Sequence, residues 1–364
     1  MMLARSPWPR SGGDQANHSA AAVPGPHVMP RFRHVPLPSS ATPSDHADVS
    51  GVVVATDGSL RACHRGVLSA LTRTGTVLWQ TVLWQVDLAG TRRPSDALWH
   101  GLPTALDDNQ TLVPLPYALT LVAADGRIDN TVGCEDILDD SGLPPNITSS
   151  GWPIVSSLLG SVYLLRDGQW VAISDDGYGY DIVCPALYDD DTLAIAGYCG
   201  TGFCRVALDG TIRWQSRLRE ADLVPTVNRR QVAAVGSLNE GVSAFFAPDG
   251  TQVGHYAQAA VFAAYGDDWV ALSKTRLARL SPEGAELWGQ DVPMQRVRGR
   301  IVQPVVDAEG YIYVRHDEGL RCCDAEGRCV FEVTLPSTRP DPLSIIAPGA
   351  IALVSEDELL IGEA

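Results

Sequence analysis

Gln303-Pro304-Val-Val-Asp-Ala-Glu-Gly310, Tyr311-Ile-Tyr-Val314, Gly319-Leu-Arg-Cys-Cys323, Glu326-Gly327 and then Arg328 to Val333 give four short extended runs separated by three turns. Tyr311, Ile312, Tyr313 and Val314 are aromatic or β-branched, a composition suited to a pleated, half-buried surface rather than a helix. Gly310 and Gly327 supply the backbone freedom of tight turns. The stretch therefore predicts one four-stranded antiparallel unit.

Reading outward, the same turn, a polar or acidic residue followed by glycine, recurs at Thr74-Gly75, Asp125-Gly126, Asp176-Gly177, Asp209-Gly210, Asp249-Gly250, Glu283-Gly284 and Glu326-Gly327. The mean interval is about 42 residues, the length of one propeller blade. A second marker has the same period: the first strand of a unit opens with X-Pro, at Pro103, Pro153, Pro185, Pro225 and Pro304. Proline is tolerated there because no ladder bond is lost. An aromatic ring four residues after the turn glycine, Trp79, Trp214, Trp288 or Phe331, is a third and more degenerate marker.

These markers predict an all-β chain with seven complete units, 50–80, 102–132, 153–182, 184–216, 224–256, 260–291 and 301–335. Three further strand-like runs lie at 343–347, 350–354 and 358–361. An eighth blade would lack its fourth strand. Arg31-Phe-Arg-His-Val-Pro-Leu37 precedes the first unit without a partner, and pairing it with the last three runs closes an eight-bladed ring. The expected organisation is an N-terminal arm over 1–48, with its closing strand at about 29–37, and a propeller over 49–364; seven blades are the alternative.

Composition agrees with many short buried strands and many turns: 45% hydrophobic residues, 34 glycines and 25 prolines. The formal charge of −16 opposes non-specific binding to nucleic acid or to anionic membrane surfaces. No stretch approaches the roughly 18 apolar residues of a membrane helix. Met1 to Gly13 lacks the apolar core of a secretory signal, so a cytoplasmic monomer with reduced thiols is expected despite eight cysteines. On that expectation the sequons at Asn17, Asn109 and Asn146 are chance matches.

Ala70, Gly75 and Trp79, the Asp209-Gly-Thr-Ile-Arg-Trp214 run and the opening Trp8-Pro-Arg-Ser-Gly-Gly-Asp14 resemble quinoprotein-type (PQQ-type) propeller repeats. That family includes eight-bladed quinone-dependent dehydrogenases and non-catalytic scaffold relatives of the outer-membrane assembly lipoprotein. The resemblance covers nearly the whole chain and implies a fold more strongly than an activity.

In an up-and-down blade the first-to-second and third-to-fourth strand turns share one face, so the Asp-Gly turns lie together. The opposite face gathers the second-to-third turns and the blade connections. Two of those connections, 82–101 and 133–152, are about twenty residues, beyond the roughly 12–15 usual for a loop without a task. Any binding site is therefore expected there. The first offers Trp84, Arg92, Arg93, Trp99 and His100, which could clasp an acidic or planar ligand; the echo of Thr76-Val-Leu-Trp-Gln80 in Thr81-Val-Leu-Trp-Gln85 favours plain strand extension for Trp84. The second carries Glu135, Asp136, Asp139 and Asp140, and Asp189, Asp190 and Asp191 form another acidic cluster; neither has the alternating spacing of a calcium loop, so solvated turns are expected. Arg296, Arg298 and Arg300 alternate in extended chain and could form an anion patch.

Adjacent Cys322 and Cys323 resemble the paired cysteines of some quinone dehydrogenases but fall in a third strand, where neighbours face opposite ways. Cys184, Cys199 and Cys204 match no zinc spacing. No nucleophile triad, phosphate loop or dinucleotide fingerprint can be assembled. The leading expectation is a binding or scaffold propeller that recognises a protein or small-molecule partner on the long-loop face through Arg92, Trp99, His100, Asp136, Asp140 and Arg298, without a cofactor. The alternative is a propeller enzyme: a remnant oxidoreductase using pyrroloquinoline quinone with calcium, or a lyase or hydrolase at the channel mouth.

Overall fold

The computed structural model describes residues 1–6, 8–10, 12–38, 50–86, 92–94, 102–115, 118–133, 143–156, 161–174, 184–197, 202–216, 218, 220–292, 302–316, 318–335, 342–355 and 357–364, with only the backbone at 84–86, 92–94 and 174. Eight four-stranded antiparallel sheets follow one another around a ring, and the described residues contain no helix. Blade 1 comprises Gly51–Val54, Leu60–His64, Val67–Leu71 and Val77–Val82. Blade 2 comprises Thr104–Ala105, Thr111–Leu115, Ala118–Val122 and Ile128–Gly133. Blade 3 comprises Asn146–Ile147, Pro153–Ser156, Val162–Arg166 and Gln169–Ser174. Blade 4 comprises Ala186–Leu187, Leu193–Ala196, Phe203–Val206 and Ile212–Gln215. Blade 5 comprises Thr226–Val227, Ala233–Ser237, Val242–Phe246 and Gln252–Tyr256. Blade 6 comprises Val261–Tyr265, Asp268–Leu272, Arg276–Leu280 and Glu286–Asp291. Blade 7 comprises Val305–Val306, Ile312–His316, Gly319–Cys323 and Cys329–Thr334. Blade 8 takes Ser344–Ala347, Ala350–Ser355 and Glu358–Glu363 from the C-terminus and Arg31–Pro36 from the N-terminus.

That last pairing is the expected closure: Arg31 lies opposite Glu363 and Pro36 opposite Glu358. Eight blades, not seven, complete the ring.

The repeated turn has two duties. Its glycine sits at positive φ, +90° at Gly126, +88° at Gly250 and +84° at Gly327, where a side chain is strained. It also receives the aromatic ring of the preceding blade. A Cβ on Gly126 would stand 2.8 Å from the Trp79 ring, one on Gly250 2.6 Å from Trp214, and one on Gly327 2.7 Å from Trp288. Each ring then donates Nε1–H to a carbonyl of that same turn: Trp79 to Ala124 (2.7 Å), Trp214 to Pro248 (2.9 Å) and Trp288 to Ala325 (3.0 Å). The third sequence marker is thus the seam between blades, and it is degenerate because other side chains can fill the seat. At the closing seam Val35 of the N-terminal strand takes it against Gly75.

Blade 3 corrects the register read from sequence. Its third-to-fourth turn is Asp167-Gly168, with φ of 53° and 77°, the pair of positive values of a two-residue hairpin turn. Asp176-Gly177 follows the fourth strand and lies outside the described residues. Likewise Pro153 opens the second strand; Pro145 precedes the first, two-residue strand. A strand that short has no alternation to read, so the longer apolar run after it imitates a first strand.

Candidate binding face

The N-terminal arm does more than supply a strand. The described residues between 2 and 24 run along the inner side of the ring and complete its hydrogen bonding. Val54 N–H donates to Trp8 C=O (2.8 Å), Ala105 to Pro9 (2.8 Å), Leu187 to Gln15 (2.8 Å), Val227 to Ala16 (3.0 Å), Ala264 to His18 (2.7 Å), Val306 to Ser19 (2.9 Å) and Gly349 to Pro24 (3.0 Å). In blade 3 the Gln15 amide donates to Ile147 C=O (2.6 Å) and Asn146 Nδ2 donates to Gln15 C=O (2.9 Å). The arm therefore visits all eight blades, and buried N–H groups that a hollow channel would leave to water are paired with protein.

Side chains anchor it. Trp8 is 1% exposed and Arg10 0%. Arg10 donates to Asn17 Oδ1 (2.7 Å) and to Cys184 Sγ (2.8 Å). In four blades the first residue of the inner strand donates to the next blade: Thr104 Oγ1 to Pro145 C=O (2.8 Å), Asn146 Nδ2 to Pro185 C=O (3.2 Å), Thr226 Oγ1 to Phe262 C=O (3.1 Å) and Ser344 Oγ to Val52 C=O (2.6 Å). Blade 4 has Ala186 there, with nothing to donate, and Asn17 of the arm reaches Pro225 C=O instead (3.0 Å). Asp14 and His18 pair at 2.7 Å. Burial opposes the charge on each, but the mutual bond prevails, holding Asp14 below and His18 above the ordinary range. Asp307, whose side chain is fully buried, accepts from Gly25 N–H and His27 Nε2 (both 2.8 Å) and ends the arm.

Of the two faces, the Asp-Gly face is a belt of local turns. Asp57, Asp125, Asp190, Asp209, Asp249 and Asp324 each accept the N–H two residues on. The acidic cluster at 189–191 is not a plain solvated turn: Asp190 pairs with Arg205 (2.8 Å), and Asp191 accepts Ser149 N–H (2.8 Å) across the blade 3–4 seam. Asn109 and Gln231, also at positive φ, reach back the same way to Asp57 and Asp189 N–H (2.9 and 2.8 Å).

On the opposite face, a two-stranded sheet of Trp84–Val86 and Arg92–Pro94 stands apart from every blade. It follows the end of the blade 1 outer strand, where Leu83 N–H donates to Gly66 C=O in the second-to-third turn (2.8 Å). Of the predicted site residues, Arg92 begins the second strand of this hairpin. Trp99, His100, Asp136, Asp140 and Arg298 lie outside the described residues, as do Glu135, Asp139, Arg296, Arg300 and Cys199. The 133–152 connection is shorter than expected, because it includes the first strand of blade 3 and the turn after it. On the same face, at the closing seam, His64 bridges Ser50 Oγ (3.0 Å) and Asp357 (3.1 Å), and Arg65 joins Asp357 (2.7 Å). Cys322 and Cys323 occupy the third strand of blade 7 and are buried; burial raises both thiols, Cys323 to about 11. Among the described residues no group of three or more His, Cys, Asp or Glu side chains is placed to hold a metal ion.

The class defined by this ring is an eight-bladed propeller with its own N-terminus threaded through the middle. The profile of the outer membrane protein assembly factor BamB family, built on PQQ-type repeats, matches residues 169–362, more than half of the chain, and the chain belongs to that family. Among solved structures, BamB from Moraxella catarrhalis aligns over 93% of this chain and 100% of its own at 15% identity (TM-score 0.65). Virginiamycin B lyase from Staphylococcus aureus aligns over 72% of this chain and 94% of its own at 11% identity (TM-score 0.55). The Dos1 propeller aligns over 92% and 94% at 9% identity (TM-score 0.64). At such identities the likeness is one of fold alone. No curated protein sequence matches the chain.

Proposed function

We propose that this propeller is a binding scaffold whose partner is a protein, recognised on the face that carries the blade connections. The observation that carries the proposal is the occupied inner ring. The axis, where a propeller could hold a small ligand, contains Trp8, Arg10, Asn17 and Ser19 of the chain itself. These side chains are buried and fill the axis, with Arg10, Asn17 and Ser19 bonded to one another or to the inner strands while Trp8 Nε1 and Arg10 Nε stay without a partner among the described residues, so recognition falls to the surface. The Asp-Gly face is taken up by turns bonded within and between blades. The connection face adds a hairpin that belongs to no blade, and a two-stranded hairpin gains little stability from itself in water. Family membership supports a scaffold, since a BamB-type propeller is an assembly factor by description.

Pyrroloquinoline quinone with calcium is not part of the proposal. A hard cation prefers several carboxylate and carbonyl oxygens, whereas the two carboxylates that meet the arm, Asp14 and Asp307, are taken up by His18 and by Gly25 and His27, and the arm adds the Arg10 guanidinium.

The residues proposed to meet the partner are Arg92, Trp99, His100, Asp136, Asp140 and Arg298. A photo-crosslinking amino acid placed at Arg92 or Asp140 is expected to give a discrete protein adduct in the native cell, whereas the same probe at Asp249 gives none. Adducts confined to position 249 would sink the proposal.

A further inference from the structure

Three cysteines cluster in the outer hairpin of blade 7, and the scaffold reading uses none of them. Cys323 ends the third strand, buried; Cys329 begins the fourth, exposed; both thiols are free. They are register partners: Cys322 lies opposite Phe331 and Cys323 opposite Cys329, with the irregularity of the ladder between the two pairs. The neighbouring pair is the hydrogen-bonded one, since Asp324 N–H donates to Arg328 C=O at 2.9 Å. That makes 323 and 329 the closer, non-hydrogen-bonded kind of pair, whose Cα atoms are about 4.5 Å apart. A disulfide needs about 4.4–6.8 Å.

Blade 2 shows what this register position does to side chains. There the equivalent residues are Val122 and Ile128, opposite each other, and both pack in one cluster under Trp79 of the preceding blade. Blade 7 has thiols in the two places, with Trp288 as the preceding ring over Gly327. Cys322 faces the other way, into the blade 7–8 cluster beside Phe331. The tempting adjacent pair is therefore split between two seams, and the pair that can react lies across the strands.

We propose that Cys323 and Cys329 are an oxidation site that closes to a cross-strand disulfide when the protein meets a peroxide. The Cys329 thiolate attacks the O–O bond of hydrogen peroxide, forming an S–O bond and releasing water after protonation. The Cys323 thiolate then attacks the sulfenic sulfur; the S–S bond forms as the S–O bond breaks, and a second water leaves. Two thiols and one peroxide become one disulfide and two waters, the sulfurs losing the two electrons that the peroxide gains. Exposure makes Cys329 the first to react. Burial disfavours the Cys323 thiolate, whereas the Gln290 amide that donates to its sulfur (3.2 Å) favours it. The bridge would pin the turn whose Ala325 carbonyl holds Trp288.

The test uses the full chain. After hydrogen peroxide and catalase, free thiols are alkylated and the protein is cut with trypsin without reduction. Cleavage at Arg321 and Arg328 places Cys323 and Cys329 in separate peptides. The expected product is a linked pair of those peptides that dithiothreitol separates, with fragmentation placing the bridge on Cys323. Cys329→Ser removes the product, and Cys322→Ser keeps it; should Cys322→Ser misfold, fragmentation of the wild-type product decides alone. A bridge on Cys322, a bond between Cys322 and Cys323 inside one peptide, or oxidation of Cys329 to the sulfinic acid without any linked product overturns the proposal.

Discussion

Gly126 and Gly168 are both turn glycines, yet they answer to different forces. Gly126 must adopt φ +90° and also make room for Trp79, whereas at Gly168, with φ +77°, an added Cβ would meet nothing within 4 Å. Gly126→Ala should therefore cost about 2–4 kcal/mol, the left-handed penalty plus the clash, and Gly168→Ala only about 1–2 kcal/mol. Urea unfolding of the two variants measures the difference; equal losses would remove the seam role assigned to Trp79. The Asp14–His18 pair gives a pH signature. His18 is raised, so its contribution is complete below the unfolded value of about 6.5 and disappears as pH climbs through the folded value; Asp14 is lowered, so its contribution is complete above about 3.8 and disappears on acidification. The stability gap between wild type and His18→Gln should be widest near pH 5 and shrink as the solution is made alkaline. A gap independent of pH would show that the pair is uncharged or unformed. At this scale the turn glycines and their aromatic partners were legible in the chain, because spacing alone exposes them. The partnership of Asp14 with His18, and of Arg10 with Cys184, was not, since nothing in a local pattern marks a contact made inside a channel.

The closing strand is legible as an element because Arg31 to Leu37 precedes the first unit without a partner of its own while the C-terminal unit lacks a fourth strand. Its energetic centre is Val35, 8% exposed, packed against the blade 1 turn and the C-terminal strands. Val35→Ala should lower stability by about 1–3 kcal/mol, while Arg31→Ala, on the same face but exposed at the end of the strand, should stay within about 0.5 kcal/mol. Thermal unfolding of both variants checks this, and a silent Val35→Ala would mean that the strand is held by its ladder alone. Blade 3 is where the elements resist reading. Its inner strand is two residues long, as in blades 2, 4, 5 and 7, so the proline before it is a better signal than any run of apolar residues. Pro145 continues the series of Pro103, Pro185, Pro225 and Pro304 at a near-constant interval, whereas Pro153 breaks it. Its carbonyl accepts from Thr104, as those of Pro185, Pro225 and Pro304 accept from Asn146, Asn17 and Ser19.

For the whole molecule, the arm and the ring stand or fall together. The amides of Ala105, Leu187, Val227, Ala264 and Val306 sit at the lip of the axis yet are bonded to the arm, so they should exchange with deuterium only through global unfolding. Rapid exchange at these positions under native conditions would show instead that the arm leaves its seat locally. Removing residues 1–27 strips every one of those bonds at about 1–3 kcal/mol for each buried group left unpaired. The sum is comparable to the total stability of a domain, roughly 5–15 kcal/mol. The shortened chain should lose its cooperative melt, even with the closing strand intact. Periodicity by itself determined the all-β ring of about 42-residue units, because a repeat advertises its unit wherever the chain is cut, and the unpartnered N-terminal run pointed to eight blades rather than seven; the pairing of Arg31–Pro36 with Glu358–Glu363 decided that count. Only the tertiary structure decided that the first two dozen residues line the inner ring, that the paired cysteines belong to different seams, and that the acidic turns tie blades together. Those are contacts between residues far apart in the chain or on opposite sides of a strand, and they exist only once the ring has brought them to one place.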